Sequence, residues 1–225
     1  MSDNFVTRHE KGAWTEDVVE ALERVLRQGG NAGRPALEHE LLRCDLLYLA
    51  RDAEGPTAFL FVAHVRLPVG PELREARYLG LSAARDEESG AAVFERFASD
   101  ARAEEQKRGR RLLLFTTAGT PFAVRTAHDF WADVQPARDA SFRAEVLPLA
   151  DAARAWLGST VCLEYPFALP RLAGCGADWR RMVDEGHGTT GEYFRQLGVE
   201  QARGERLLLL CSLPARDRGV SAQAA

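Results

Sequence analysis

The apolar positions in the opening part of the chain follow first a strand-like and then a helical pattern. The segment from Phe5 to Trp14 predicts a strand. Thr15 is a suitable N-cap for the helix that follows, and the pair Gly29-Gly30 is suited to end it. A second helix is predicted from Pro35, because apolar residues again recur at helical spacing: Leu37, Leu41 and Leu42.

The next segment consists of short apolar runs, as expected for strands. Asp52 to Pro56 is rich in turn-forming residues and lies between two of these runs, so we expect an antiparallel hairpin. A third run follows a loop that contains Pro68 and Gly70. The predicted strands are residues 46–50, 57–65 and 77–81.

In the second half of the chain a helical pattern resumes at Gly90 and ends at Gly109-Arg110. The run after it, residues 111–117 (RLLLFTT), is apolar almost throughout, which is typical of a strand buried on both faces. A further helix is predicted over residues 121–131. The remaining predicted strands are 142–147, 160–165 and 206–213, and the remaining helices 179–184 and 191–197.

The order of these elements resembles that of the GNAT (acyl-CoA N-acyltransferase) superfamily. The resemblance implies an α/β (α+β) fold with a mixed, mostly antiparallel central sheet flanked by helices. It covers residues 5–167. We therefore expect a GNAT-like acyltransferase domain over residues 1–167. Residues 168–225 are expected to form a C-terminal extension that packs on the same domain.

A second placement of the same pattern is open. Residues 191–199 (GEYFRQLGV) are similar to the Phe-Tyr-x-x-Leu-Gly-Phe end of a GNAT domain, and the apolar run at 206–213 to its next strand. In that placement the middle of the chain is an insertion. We favour the first placement, because residues 160–165 then supply the last strand after loops of ordinary length.

Residues 85–90 (RDEESG) stand where the GNAT superfamily has its acetyl-CoA loop, with the pattern Arg/Gln-x-x-Gly-x-Gly/Ala. Backbone N–H groups at such a helix start are suited to hold a pyrophosphate. Here Glu88 replaces the middle glycine, and each of three successive carboxylates would repel a pyrophosphate by about 1 kcal/mol under water-like screening. The resemblance implies that acetyl-CoA, or another acyl-CoA, is contacted by Leu81, Ala83, Arg85, Gly90 and Ala91.

Two further positions bear on catalysis. The family commonly carries a glutamate on the strand before the loop, and Glu75 lies six positions before Leu81. The resemblance implies that Glu75 is the general base that takes a proton from the amine; the alternative is a solvent-facing charge at a strand edge. The family's Ala-x-x-Phe-Tyr pattern, whose tyrosine serves as general acid, corresponds to residues 127–131, where Trp131 offers no titratable hydroxyl.

Composition narrows the possible partners. The net charge is −4 and no polybasic segment occurs, so we expect neither a nucleic acid nor an acidic membrane surface as a partner. The four cysteines lie far apart, which argues against a metal site. The first residues lack the pattern of a signal peptide, and no apolar stretch reaches the roughly 20 residues that span a bilayer. We expect a cytoplasmic protein.

Taken with the resemblance, these patterns predict an acyl-CoA-dependent N-acyltransferase, in particular an N-acetyltransferase, that acts on a small-molecule or peptide amine. Two alternatives are open. One is a binding or scaffold protein that keeps the fold without catalysis, which the acidic loop and Trp131 favour. The other is an acyltransferase whose donor is attached to a carrier protein, because such an enzyme has no need of the pyrophosphate site.

Overall fold

The structure is a computed structural model, and it describes residues 5–28, 34–159, 163–170, 172, 193–194, 196–200 and 203–214. Its strands are β1 (Phe5–Glu10), β2 (Leu46–Asp52), β3 (Gly55–Val69), β4 (Glu72–Ala84), β5 (Leu113–Ala118), β6 (Ala132–Gln135), β7 (Ala168–Leu169) and β8 (Arg206–Ser212). Its α-helices are α1 (Glu16–Gln28), α2 (Arg34–Arg43), α3 (Glu87–Arg108), α4 (Pro121–Phe130) and α5 (Leu147–Trp156).

The described strands form one eight-stranded sheet in the order β1-β2-β3-β4-β5-β8-β6, with β7 paired to β8. Neighbours from β1 to β4 are antiparallel, and so are the pairs that β8 makes with β5, β6 and β7. Among the strands that the structure describes, only β4 and β5 run parallel, as expected for two strands joined by the crossover helix α3. The predicted mixed, mostly antiparallel sheet flanked by helices is confirmed.

Helices cover both faces of the sheet. Successive residues of a strand point to opposite faces, and β4 shows which helix lies on which side. The guanidinium of Arg77 meets Glu104 of α3, whereas the ring of Tyr78 meets Trp156 at the end of α5 and the side chain of Glu40 on α2. Helix α3 therefore lies on one face, and α2 and α5 lie on the other.

The strand predictions fail between β6 and β8. Residues 144–146 form a 3₁₀ turn and Leu147 starts α5, because Pro148 suits the first turn of a helix. The described part of the predicted strand at 160–165 is not a strand, and residues 160–162 lie outside the described residues. The helix predicted at 179–184 also lies outside them, whereas Tyr193 and Phe194 are helical.

The strand next to β5 is β8 instead. Leu114 to Ala118 pair with Cys211 to Leu207, and β6 pairs with the other edge of β8. Helix α4 lies where the first placement of the family pattern put it, whereas β8, and not residues 160–165, supplies the strand beside β5. Residues 136–205 separate β6 from β8. The sheet contains strands from both sides of the boundary predicted at residue 167, because β8 lies between β5 and β6.

Candidate functional site

Strands β4 and β5 separate before either of them ends. They pair only where Ala76–Leu79 lie beside Leu113–Thr116, and the Thr116 hydroxyl donates to the Leu79 carbonyl oxygen at 2.7 Å. Beyond this point residues 80–84 of β4 remain paired with β3. Among the described residues no strand pairs with their other edge, which we call the open edge. The open edge presents backbone N–H and C=O groups to a ligand.

A β-bulge lies at the same point of β4. Leu79 is paired with Val62 and Ser82 with Leu60, so Gly80 and Leu81 together oppose a single residue of β3. A bulge bends the strand and redirects the side chains that follow it. The fork between β4 and β5 therefore begins at Gly80.

The carboxylate of Glu40 lies directly over this fork. Glu40 is on α2 and is only 5% exposed. Its Oε2 is so close to Gly80 that a Cβ atom at that position would overlap it. A charged side chain is rarely buried unless it is paired or has a function. Sequence analysis did not single out this carboxylate, although Glu40 lies three residues after Leu37 and therefore on the same buried face of α2.

Two neutral groups hold the Glu40 carboxylate. The Cys44 thiol donates to Oε2 at 3.1 Å, and the Tyr78 hydroxyl donates to Oε1 at 3.4 Å. Burial, and secondly the Glu40 charge, raises the pKa of the Cys44 thiol, so Cys44 stays protonated and remains a donor. In the described part of the chain no basic side chain forms an ion pair with Glu40.

Aromatic rings flank this carboxylate. Tyr78 and Trp156 lie with ring centroids 5.1 Å apart, and Trp156 also meets Phe115 of β5 at 5.5 Å. The guanidinium of Arg43 stands over both rings, 5.2 Å from the Trp156 centroid and 5.8 Å from that of Tyr78. The rings of Tyr78 and Trp156 thus pack against a cation that the protein itself supplies, the guanidinium of Arg43.

In the predicted cofactor loop, a side chain of the loop itself caps the N-terminus of α3. Asp86 is the N-cap of α3, and its carboxylate accepts the Ser89 N–H at 2.8 Å. This bond, followed by the Ser89 hydroxyl and Arg85, lowers the pKa of Asp86. A fixed negative charge thus stands where the helix N-terminus would receive an anion.

Arg85 is also engaged within the protein. Its guanidinium meets Asp52 of β2 at 2.6 Å and Asp86 at 3.3 Å, with Glu54 further away at 3.8 Å. The hydrogen bond to Asp52 is the main reason that the pKa of Arg85 is raised. The backbone N–H of Arg85 donates to the Thr57 carbonyl at 2.7 Å.

The start of α3 packs directly on the end of β4. A Cβ atom at Gly90 would lie 3.2 Å from the Ala84 Cβ, so the glycine serves close packing of helix on strand. The Gly90 N–H donates to the Asp86 carbonyl. The N–H groups of Arg85, Ser89 and Gly90 are used within the protein, and the Asp86 carboxylate stands at the helix start, so this loop is poorly suited to hold the pyrophosphate of an acyl-CoA.

Glu75, the general base that the resemblance implied, lies far from this loop. Glu75 is ion-paired with Arg108, the last residue of α3, and with Arg110 at 2.9 Å. Helix α3 has 22 residues and spans about 30 Å, so Glu75 is near the opposite end of the helix from the loop. Two guanidinium groups already share its charge, which leaves it poorly placed to take a proton from a substrate at the fork.

The other predicted residues lie together. Leu81 and Ala83 are on the segment of β4 that carries the open edge, and Arg85, Gly90 and Ala91 follow it at the start of α3. Their contact with an acyl donor stays a prediction. Trp131 is 4% exposed and packs against aromatic residues of α3 and α4: Phe94, Phe97 and Phe130.

The mixed, mostly antiparallel sheet and the helices that flank it agree with the fold that the sequence resemblance implied. The fold is of the GNAT type. No protein-family profile matches the chain, and no curated protein matches it. In the described residues no helix is long and apolar enough to cross a membrane.

Similar solved structures carry low sequence identity. A conserved protein from Enterococcus faecalis V583, described as a probable N-acyltransferase, is 12% identical with a TM-score of 0.43; the match covers 60% of this chain and 33% of that one. The GNAT family N-acetyltransferase YhbS from Escherichia coli, in complex with CoA, is 15% identical over 58% of this chain and 69% of that one, with a TM-score of 0.39. N-acetylglutamate synthase from Neisseria gonorrhoeae, complexed with coenzyme A and N-acetyl-glutamate, is 15% identical over 94% of this chain and 36% of that one, with a TM-score of 0.40.

Proposed function

We propose that the protein is an N-acyltransferase that moves an acyl group from a thioester to an amine, with Glu40 as the general base. The observation that carries the proposal is the position of the Glu40 carboxylate, which is buried over Gly80 where β4 and β5 part. Glu40 thus takes the role that the sequence suggested for Glu75.

The open edge supplies the donor side of the reaction. A strand edge with free N–H groups binds an extended, amide-containing chain by main-chain hydrogen bonds. One such N–H beside the fork polarises the thioester carbonyl and stabilises the oxyanion that forms on attack. Holding both reactants at the fork provides the proximity on which direct transfer depends.

Glu40 supplies the acceptor side. The amine nitrogen attacks the carbonyl carbon, the C–N bond forms and the C–S bond breaks. The proton that the nitrogen loses passes to Glu40, and the leaving thiolate takes up a proton from solvent. Tyr78 and Cys44 fix the orientation of the carboxylate without cancelling its charge, because both are neutral donors.

A substitution with a matched control tests this role. Glu40→Gln removes the proton acceptor while keeping shape, so we expect transfer from acetyl-pantetheine or acetyl-CoA to a panel of primary amines to fall by about 100-fold or more. Glu38→Gln, on the exposed side of the same helix, is expected to retain the wild-type rate. A Glu40→Gln variant that folds and transfers at the wild-type rate would exclude Glu40 as the base.

A second candidate function is a binding protein of the same fold without catalysis. Its support is the filled loop at Asp86 and the buried Trp131, neither of which serves the family's chemistry. The two candidates differ in the fate of a bound thioester. Binding of acetyl-pantetheine without release of thiol in the presence of any amine in the panel would favour the binding protein.

A further inference from the structure

We propose that the acyl donor of this protein is a linear, amide-bearing thioester with no diphosphate held at the start of α3. The inference rests on the proposed acyltransferase function and specifies its donor. Acyl-pantetheine has this chemistry, either as a free molecule or as the arm of a carrier protein.

The charges around the loop disfavour a diphosphate. The Asp86 carboxylate occupies the N-terminus of α3, and Glu87 and Glu88 follow it in the exposed first turn. The Arg85 guanidinium is shared by Asp52 and Asp86. A diphosphate at this position meets several negative charges and no free positive one from Arg85.

The start of α3 also leaves little space for a diphosphate. Gly90 lies against Ala84 so closely that even a methyl group would be in tight contact. The N–H groups of Arg85 and Ser89 are satisfied by Thr57 and Asp86 respectively. A diphosphate that used these two N–H groups would have to displace both bonds, whereas a neutral chain that ends before the loop would not.

The open edge by itself is long enough to bind a neutral donor chain. Residues 80–84 present an edge of about 16 Å, at roughly 3.3 Å per residue. An extended chain with amide groups pairs with such an edge in the manner of an added strand. Binding of the donor therefore needs no contribution from an anion site.

The test compares two donors that share the thioester and its amide-bearing arm. We expect the dissociation constant of acetyl-pantetheine, measured by calorimetry, to be within about threefold of that of acetyl-CoA or lower. Binding of acetyl-CoA should not weaken when salt is raised to about 0.3 M, because salt screens repulsion here rather than attraction. Acetyl-CoA that binds at least about tenfold tighter, and weakens with salt, would overturn the inference while leaving the acyltransferase proposal intact.

Failure of both donors to bind would instead reject the proposed function. An acetylated carrier protein separates the two sources of the arm: tighter binding than acetyl-pantetheine indicates the carrier-bound form, and equal or weaker binding indicates the free form.

A pair of variants tests the role of the loop itself. Asp86→Ser keeps an N-cap hydroxyl, removes the charge and releases Arg85 from one partner, so we expect acetyl-CoA to bind about tenfold tighter and acetyl-pantetheine to bind unchanged. Glu95→Gln makes the same change of net charge on an exposed position of α3, two turns further along, and should alter neither affinity. Thermal unfolding confirms that each variant is folded. Equal effects of the two variants on acetyl-CoA would overturn the assignment of the repulsion to Asp86.

Discussion

The side chain of Glu40 carries a cost to stability. A carboxylate that is 5% exposed has lost most of its water, and the neutral donors Cys44 and Tyr78 replace that water only in part. Active sites retain such groups because the chemistry requires them, even where an apolar or uncharged residue would be more stable.

The substitution that is expected to abolish the proposed transfer should therefore leave the fold at least as stable. We expect Glu40→Gln to raise the free energy of unfolding by about 1 kcal/mol, because the neutral amide is cheaper to bury than the carboxylate. The amide oxygen still accepts one of the two hydrogen bonds, and the amide NH2 donates to the other partner, since a hydroxyl or a thiol sulfur also accepts. Urea denaturation of the wild type and the variant at pH 7 measures this difference. A loss of 2 kcal/mol or more, on the scale of about 1–3 kcal/mol for an unsatisfied buried group, would mean that the charge itself holds α2 on β4.

Gly80 of β4 is the residue that lies directly against the Glu40 carboxylate. A Cβ atom there would overlap the carboxylate of Glu40 and crowd the Tyr78 ring, so Gly80→Ala should displace Glu40 from the fork. We expect transfer activity to fall nearly as far as in Glu40→Gln, and the double variant to be no worse than either single one. Steady-state kinetics of the three variants gives the comparison; additive losses would show that the two residues act independently.

At the scale of single elements, the N-terminus of α3 depends on a charge that titrates. The hydrogen bond from the Ser89 N–H is the largest cause of the lowered pKa of Asp86. A carboxyl group whose pKa is lower in the folded state stabilises the fold above its ordinary value of about 3.9, and this contribution is lost as pH falls through the folded-state pKa.

A comparison of the wild type with Asp86→Ser isolates this contribution. We expect the wild type to be the more stable at pH 7, by an amount on the order of 0.5 kcal/mol given the exposure of the group. The difference should begin to shrink as the pH falls below about 4 and should continue to shrink through the lower folded-state pKa. Urea denaturation at a series of pH values, down to the lowest at which both proteins fold, provides the measurement. A difference that does not change with pH would assign the effect to helix geometry rather than to charge.

Elements with a regular pattern were predictable from the sequence, and the candidate site was not. Helix α4 was expected at 121–131 and lies at Pro121–Phe130, because Thr120 and Pro121 mark its start and its apolar spacing is regular. In α2 the expected apolar residue Leu42 is 79% exposed and Glu40 is buried. Periodicity treats a glutamate as a surface residue, and only the packing of α2 on Gly80 reveals its place.

At the scale of the whole molecule, distant parts of the chain complete one sheet. Local pattern identified the strand at 206–213, but its neighbours depend on how the chain folds back, which spacing alone does not determine. The sequence therefore favoured residues 160–165 as the last strand, and β8 lies beside β5 instead. Five consecutive residues of β5, Leu114 to Ala118, have their partners in β8.

A truncation tests how far the sheet depends on β8. A chain that ends at residue 167 keeps the whole domain first expected from the sequence but loses β8, so the apolar edge of β5 has no partner. We expect this fragment not to unfold cooperatively, whereas a chain that ends at residue 214 should do so. Circular dichroism during heating distinguishes the two, and a cooperative transition in the shorter fragment would show that residues 1–167 fold alone.

The insertion of β8 between β5 and β6 has a consequence for synthesis. Residues 136–205 leave the ribosome after β6 and before β8. Strands β5 and β6 are therefore synthesised well before β8, which lies between them in the sheet. Until residue 212 has emerged, the nascent chain exposes the edge of an apolar strand to solvent, which invites aggregation. We therefore expect yield in a recombinant host to rise with added chaperones, which cover the exposed edge until β8 has been synthesised.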